Sequence, residues 1–348
     1  MDRRPIHVDL LSDTQTRPTA AMRDAMAQAS VGDEQRGEDP STNLLCEMVA
    51  ALLGKEAAVF LPSGIMSNQI AILVHCRAGD EILADELSHV IGSEGVGAAA
   101  LAGAMVRPLR GIHGIYTADQ VEQAIRPAKR NAPRTRLTVL EQTCNRGGGT
   151  IWPLETVRAV AEMAHRHGLA VHMDGARLLN AVVASGVPAN HFAAHVDSVW
   201  LDLSKGLGGP VGSVLAGSVE FIEQAWTWKH RLGGAMRQSG ILAAAGIYAL
   251  EHHVDRLVHD HENARRFAAR IGQIPGIRLD PPDVQTNLVF FDVRETGYTA
   301  GELAERLMSR GVRIGQEGNY RMRAVTHLDV DCAGVDLAAQ ALAELSTR

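Results

Sequence analysis

The sequence predicts an α/β large domain built on a mainly parallel sheet covered by helices, followed by a small α+β domain at its C-terminal end. Three observations carry this. From about residue 45, short continuously apolar runs alternate with longer amphipathic stretches, the pattern of strands buried on both faces. The chain has 348 residues, more than the roughly 250–300 that one core usually serves. Near residue 250 the alternation gives way to a different texture of shorter mixed elements. The expected division is 1–250 for the large domain with its N-terminal segment and 251–348 for the small one.

Residues 44–53 have helical spacing and stop at Gly54, a C-cap signal. Residues 57–61 read as a buried strand, Pro62-Ser63-Gly64 as a turn, and 66–76 as a helix. Further strands are expected at 81–84, 105–108 and 136–140. A helix over 154–167 closes at Gly168 and leads to a strand at 169–173. Strands at 198–203 and 211–216 follow, the second after a glycine-rich turn, and one long helical stretch covers about 240–271. In the small domain, 287–293, 312–315 and 322–327 read as strands, with helices at 300–310 and 331–345.

Composition narrows the function. With 46% hydrophobic and 21% charged residues, the chain reads as an ordinary soluble protein. A net charge of −6 without a basic run argues against nucleic acid or an anionic membrane as partner. Residues 1–5 are followed by no apolar stretch, so no secretory signal is expected, and the longest apolar runs, 98–106 and 240–250, are shorter than the ~20 residues of a membrane span. Cys46, Cys76, Cys144 and Cys332 form no Cys-x-x-Cys pair, which fits reduced thiols and a cytoplasmic location.

Lys205 is one of only four lysines among 34 basic residues, and it stands between an apolar run and the glycine-rich Gly206-Leu-Gly-Gly209. Desolvation there would favour a nucleophilic amine suited to imine formation; the same context also fits a solvated loop lysine. Asp174 follows the strand at 169–173, where ligands gather beyond carboxyl ends of strands, although it also fits a helix cap or turn. A lysine and an aspartate at two strand ends are the parts that hold pyridoxal phosphate: the lysine through an imine, the carboxylate through the ring nitrogen. Ser63 and Gly64 would open a helix at a natural anion site, with Ser204 a second phosphate contact. His89 is a candidate to lie against the ring or act as a base.

Other chemistries fit poorly. Gly206–Gly212 lacks the dinucleotide spacing, and Pro210 would interrupt its helix. The histidines at 252, 253, 259 and 261 lack a His-Glu-x-x-His pattern and read as decoration of a solvated helix face, so no catalytic metal is expected.

Across nearly the whole chain the sequence resembles the low-specificity L-threonine aldolases. The likeness runs through Asp9–Thr14, Gly37-Glu-Asp-Pro40, Leu61–Gly64, His172–Arg177, Leu203–Gly208, Gly233–Gly240 and Val325–Asp329. It implies an aspartate aminotransferase-like fold (fold type I) and pyridoxal phosphate, with Lys205 carrying the cofactor as an imine, Asp174 on the ring nitrogen and His89 stacked on the ring. It further implies that Arg177, Arg323 and Ser12 hold the substrate carboxylate. Arg237 would reach the phosphate region of a neighbouring subunit in a dimer or tetramer with shared sites. The implied reaction cleaves a β-hydroxy-α-amino acid to glycine and an aldehyde. β-Elimination from a hydroxy amino acid is the alternative within the same chemistry, and a non-catalytic cofactor-fold binding protein the alternative outside it.

Two positions depart from the family pattern. Arg36, in Gly32-Asp-Glu-Gln-Arg-Gly37, stands where an aromatic residue is usual, and Cys144, in Glu141-Gln-Thr-Cys-Asn145, replaces a histidine. Both are expected at the substrate side chain, where Arg36 would recognise an anionic group or, alternatively, make an intersubunit ion pair.

Overall fold

A computed structural model describes residues 5–346. Residues 1–4, part of the segment from which the lack of a secretory signal was read, lie outside the described residues. The strands are β1 (Val8–Leu10), β2 (Ala57–Leu61), β3 (Asp80–Asp85), β4 (Met105–Leu109), β5 (Arg134–Glu141), β6 (Ala170–Asp174), β7 (Ser198–Asp202), β8 (Ser213–Gly217), β9 (Arg278–Leu279), β10 (Leu288–Asp292), β11 (Val312–Gln316) and β12 (Arg321–Val325).

The larger sheet has the order β2-β8-β7-β6-β5-β3-β4. Six strands run the same way, and β8 alone is antiparallel to both of its neighbours. Strands β3, β7 and β8 are buried along their whole length, which explains why they lack polar alternation in sequence. Helices Pro40–Leu53, Leu154–Arg166 and Gly240–His252 bury Leu45, Val49, Val157, Val160, Ala243 and Ala249 against one face. Helices Gly64–His75 and Val219–Arg231 cover the other.

The smaller sheet has the order β1-β11-β12-β10-β9 and its own core of Phe267, Phe291, Leu303, Met322 and Leu342. Its edge strand β1 comes from the N-terminal segment and pairs in parallel with β11, so that segment joins this sheet and not the larger one. The chain thus ties its start to its end, which brings Ser12 and Asp13 to the junction of the two sheets.

The long helix expected over 240–271 is two helices, Gly240–His252 and Leu257–Ile271. The break coincides with a tertiary contact. His253 leaves the first helix as its C-cap and donates from Nδ1 to the carbonyl of Leu207 at 2.7 Å, bracing the turn that carries Lys205. The histidines here do not simply decorate a wet face: His253 and His261 are buried, while His252 and His259 are exposed. No helix among the described residues is long and apolar enough to cross a membrane.

Candidate active site

Five strands of the larger sheet point their carboxyl ends at one cavity of about 400 Å³. After β2 come Ser63 and Gly64, after β3 His89, at the end of β5 Glu141, at the end of β6 Asp174, and after β7 Ser204 and Lys205. The small sheet closes the cavity with Arg323 of β12 and with Glu317, and the N-terminal segment adds Ser12.

Ser63 caps the helix Gly64–His75 by accepting from the Met66 N–H at 3.3 Å. Glycine is required next: a Cβ at Gly64 would stand 2.2 Å from a ring carbon of Trp200. The indole therefore lies against the helix entry, 5.6 Å by its centroid from the Lys205 amine. Lys205 itself pairs with Asp202 at 2.8 Å, and Ser204 donates to the same carboxylate at 2.8 Å.

Asp174 is buried and accepts from Asn68 Nδ2 at 2.8 Å and from the Ala176 N–H at 3.0 Å. Burial raises its proton affinity more than Lys205, His89 and Asn68 lower it. Glu141, also buried, accepts from the backbone N–H groups of His89 (2.6 Å) and Asn145 (2.8 Å). Burial and the nearby Asp174 charge push it up to about 7.

His89 meets Glu94 at 2.8 Å through Nδ1. Glu94 also accepts from Asn68 Nδ2 at 2.7 Å and Gln69 Nε2 at 2.6 Å, so three donors surround it and an ionised carboxylate is the form that fits. Burial opposes the charge on His89, but Glu94, Asp174 and Glu141 outweigh it and raise its proton affinity. Ligand atoms of His89, Glu94 and Asp174 lie within 4.8 Å of one another, but the Asn68 amide already binds both carboxylates.

Arg177 lines the cavity with its guanidinium committed to Asp13, at 2.7 Å from both Nε and Nη2. Burial would raise Asp13, yet the Arg177 fork overcomes it and holds the carboxyl well below its usual range. Arg323 touches Asn145 and Glu317 at 3.1 Å each, and its buried Nε has no partner. Thr143 also faces the cavity with a buried, unpartnered hydroxyl.

Three expected residues are not among those lining the cavity. Arg36 sits in the short helix Glu34–Arg36, is 73% exposed at its side chain and approaches Asp33 at 3.9 Å. Cys144 turns into the core, where its sulfur accepts from Trp152 Nε1 at 3.1 Å and donates to the Glu141 carbonyl at 3.3 Å. Arg237 is mostly exposed and pairs with Asp33 at 2.8 Å. Sequence reasoning gave no role to Asn68, Glu94, Glu141, Asp202 or Asp13. A readable signal did exist for part of this set: β3, β5, β6 and β7 each end in an acidic residue, at Asp85, Glu141, Asp174 and Asp202.

Residues 9–294 match the beta-eliminating lyase family. The low-specificity L-threonine aldolase 1 of Arabidopsis thaliana is 41% identical over 94% of this chain and 93% of its own length. The low-specificity L-threonine aldolase of Escherichia coli K12 is 42% identical over 93% of this chain and 94% of its own. The chain belongs to the threonine aldolase family. A solved structure of Leishmania major threonine aldolase, at 19% identity, superposes with a TM-score of 0.84 over 98% of this chain and 100% of its own, so the family fold extends to distant sequences. The family's matched span includes Lys205, Asp174, Glu141, His89 and Ser63, whereas Arg323 lies beyond it.

Proposed function

We propose that the protein is a pyridoxal phosphate-dependent lyase that cleaves L-β-hydroxy-α-amino acids of the threonine type into glycine and an aldehyde. The observation that carries this reading is the convergence of the Lys205 amine, the buried Asp174 carboxylate and the capped helix start at Ser63-Gly64 on one cavity of about 400 Å³. Its size suits a small cofactor and substrate, and the donor set matches the cofactor group by group. An amine is available for its aldehyde, an acid for its ring nitrogen, and a helix N-terminus for its phosphate. The relatives named above, at about 40% identity over most of their length, support the same activity.

Lys205 would hold the cofactor covalently, Asp174 its ring nitrogen, and Ser63, Gly64 and Ser204 its phosphate, with Arg237 serving a neighbouring copy in a homo-oligomer. When bound, the cofactor supplies an electron sink for the bond broken at the substrate α-carbon. Around it, Arg323 would bind the substrate carboxylate through its free Nε, aided by Ser12, while Arg177 acts by fixing Asp13 beneath the site. His89 would donate an Nδ1–H hydrogen bond to Glu94, which leaves Nε2 free to take the proton of the substrate β-hydroxyl. Four unpaired cysteines fit a cytoplasmic location.

The test is direct. Purified protein loaded with pyridoxal phosphate is expected to release glycine and an aldehyde from L-threonine, and borohydride is expected to fix the cofactor on Lys205. Lys205→Ala should remove both the fixation and at least about 10²-fold of the rate. Ammonia and a keto acid as the products would establish elimination instead. A protein that takes up no cofactor would be a non-catalytic member of the fold.

A further inference from the structure

Behind the cavity lies a buried polar chain whose every hydrogen bond has a determined direction. Asn68, in the helix Gly64–His75, is fully buried. Its Nδ2 donates to Glu94 Oε1 at 2.7 Å and Asp174 Oδ2 at 2.8 Å, and its Oδ1 accepts from Trp200 Nε1 at 2.7 Å and His172 Nε2 at 3.1 Å. All the capacity of the amide is therefore used. The opposite flip would set an amide oxygen against two carboxylates and an N–H against the indole N–H, so only one orientation is tenable.

That orientation fixes what lies behind it. Because Asn68 Oδ1 only accepts, His172 carries its proton on Nε2. Its Nδ1 must then accept from Ser198 Oγ at 2.8 Å, and Ser198 in turn accepts from His75 Nε2 at 2.8 Å. Burial keeps this chain neutral, pulling His172 down to about 3 and His75 to about 4.

We propose that Asn68 is a positioning residue that ties Asp174 to the Glu94–His89 pair, so that one amide orients both carboxylates, with His172, Ser198 and His75 holding that amide in register. The inference rests on the cofactor reading above, in which Asp174 meets the ring nitrogen and His89 the substrate hydroxyl. Without the amide, Asp174 and Glu94 lose their shared donor and face each other across a buried gap. The other charged groups around Asp174 are Lys205, His89 and Glu141, none of which hydrogen-bonds to it. Asp174 would then bind a proton more strongly and present less negative charge to a ring nitrogen, which would weaken both cofactor binding and electron withdrawal.

The experiment compares full-length wild type, Asn68→Ala and Ser198→Ala. Three quantities are read: pyridoxal phosphate affinity of the apoprotein, the pH midpoint of the visible band of the loaded protein, and kcat and KM for L-threonine. For Asn68→Ala the dissociation constant should rise about 10–100-fold, as when a buried acceptor loses its donor. The band midpoint should move up by about half a unit or more, and kcat should fall with KM held within about threefold. Ser198→Ala, which frees the His172 tautomer and removes the acceptor of His75 Nε2 but leaves Asn68 in place, should move affinity and midpoint the same way by a smaller amount, about threefold in affinity. An Asn68→Ala protein that binds and titrates like wild type overturns the proposal. If that variant does not fold, wild-type behaviour of Ser198→Ala overturns it. A wild type with no visible band would instead remove the cofactor reading itself, and this inference with it.

Discussion

The two ends of the larger sheet carry the same kinds of residue to opposite effect. Strand β5 begins at Arg134, which forks Asp80 at the start of β3 with contacts of 2.9 and 2.8 Å, and ends at Glu141. At the amino end, Glu81 likewise has Arg126 within 3.2 Å. Burial would raise Asp80, but the Arg134 fork wins and its proton affinity falls. At the carboxyl end, Glu141 and Asp174 have no arginine fork and only neutral donors, and both are raised. The amino end neutralises its buried acids with arginines; at the carboxyl end Arg177 does so for Asp13 and Lys205 pairs with Asp202, but Glu141 and Asp174 are left underneutralised beside the cavity. Acids held off their normal titration by burial and mutual repulsion mark a reactive site.

The largest expected break in this contrast is Asp174→Ala. If the underneutralised acid is the working electrostatic partner of the cofactor, kcat should fall about 10²–10³-fold, the size of losing one electrostatic stabiliser. Circular dichroism and a thermal melt would check that the fold survives. An activity within tenfold of wild type would mean that the unpaired acid is incidental.

Glu141→Gln comes next and tests the energetics without the cofactor. The folded-state value of Glu141, about 7, lies above its ordinary 4.5. Its contribution to stability is therefore fully present below about pH 4.5 and is lost as pH rises through 7. Asp80 has the opposite sign: its folded value is lowered, so its contribution is present above the ordinary 3.8 and lost only as pH falls below that. Urea unfolding of apoprotein at pH 5 and pH 8 should show wild type losing about 1–3 kcal/mol relative to Glu141→Gln over that interval. In the loaded enzyme, a rate ionisation near pH 7 should disappear in the same variant. Equal pH dependence in the two proteins would show that Glu141 is ionised throughout.

This contrast also explains which parts could be read in the sequence. Lys205, Asp174 and Ser63-Gly64 were legible because each sits at a strand end beside a glycine turn, and local sequence sets that placement. The roles expected for Arg36 and Cys144 came from position in a motif, but cavity lining depends on where a side chain turns. Cys144 turns toward Trp152 in the core, and Arg36 turns toward solvent beside Asp33. Asn68 was invisible because its meaning lies in partners far along the chain, at Asp174, His172 and Trp200, and Glu94 because its donors Asn68, Gln69 and His89 meet it only when the helix and loop pack together. Strand β1 has three residues and pairs with β11 some 300 residues later, a contact no local pattern encodes. The break at His253 was missed because the hydrophobic pattern continues across it; what ends the helix is a tertiary bond to Leu207.

The smallest expected effect, Arg134→Ala, makes the comparison two-sided. Its side chain is 60% exposed, so water screens much of the pair even though Asp80 is buried. Removing it should destabilise by about 1 kcal/mol or less, as exposed ion pairs do, with kcat/KM within about twofold of wild type. Asp80 would still accept from the Arg77 N–H at 2.8 Å, which limits the damage. The informative quantity is the pH dependence: with its fork gone, burial acts on Asp80 with less opposition, and its proton affinity should rise. Melts between pH 3 and pH 6 should then show the stability gap between Arg134→Ala and wild type narrowing as pH falls, because the variant loses less through protonation of Asp80. A variant that melts in parallel with wild type across that range would mean that the arginine is not what separates the two ends of the sheet.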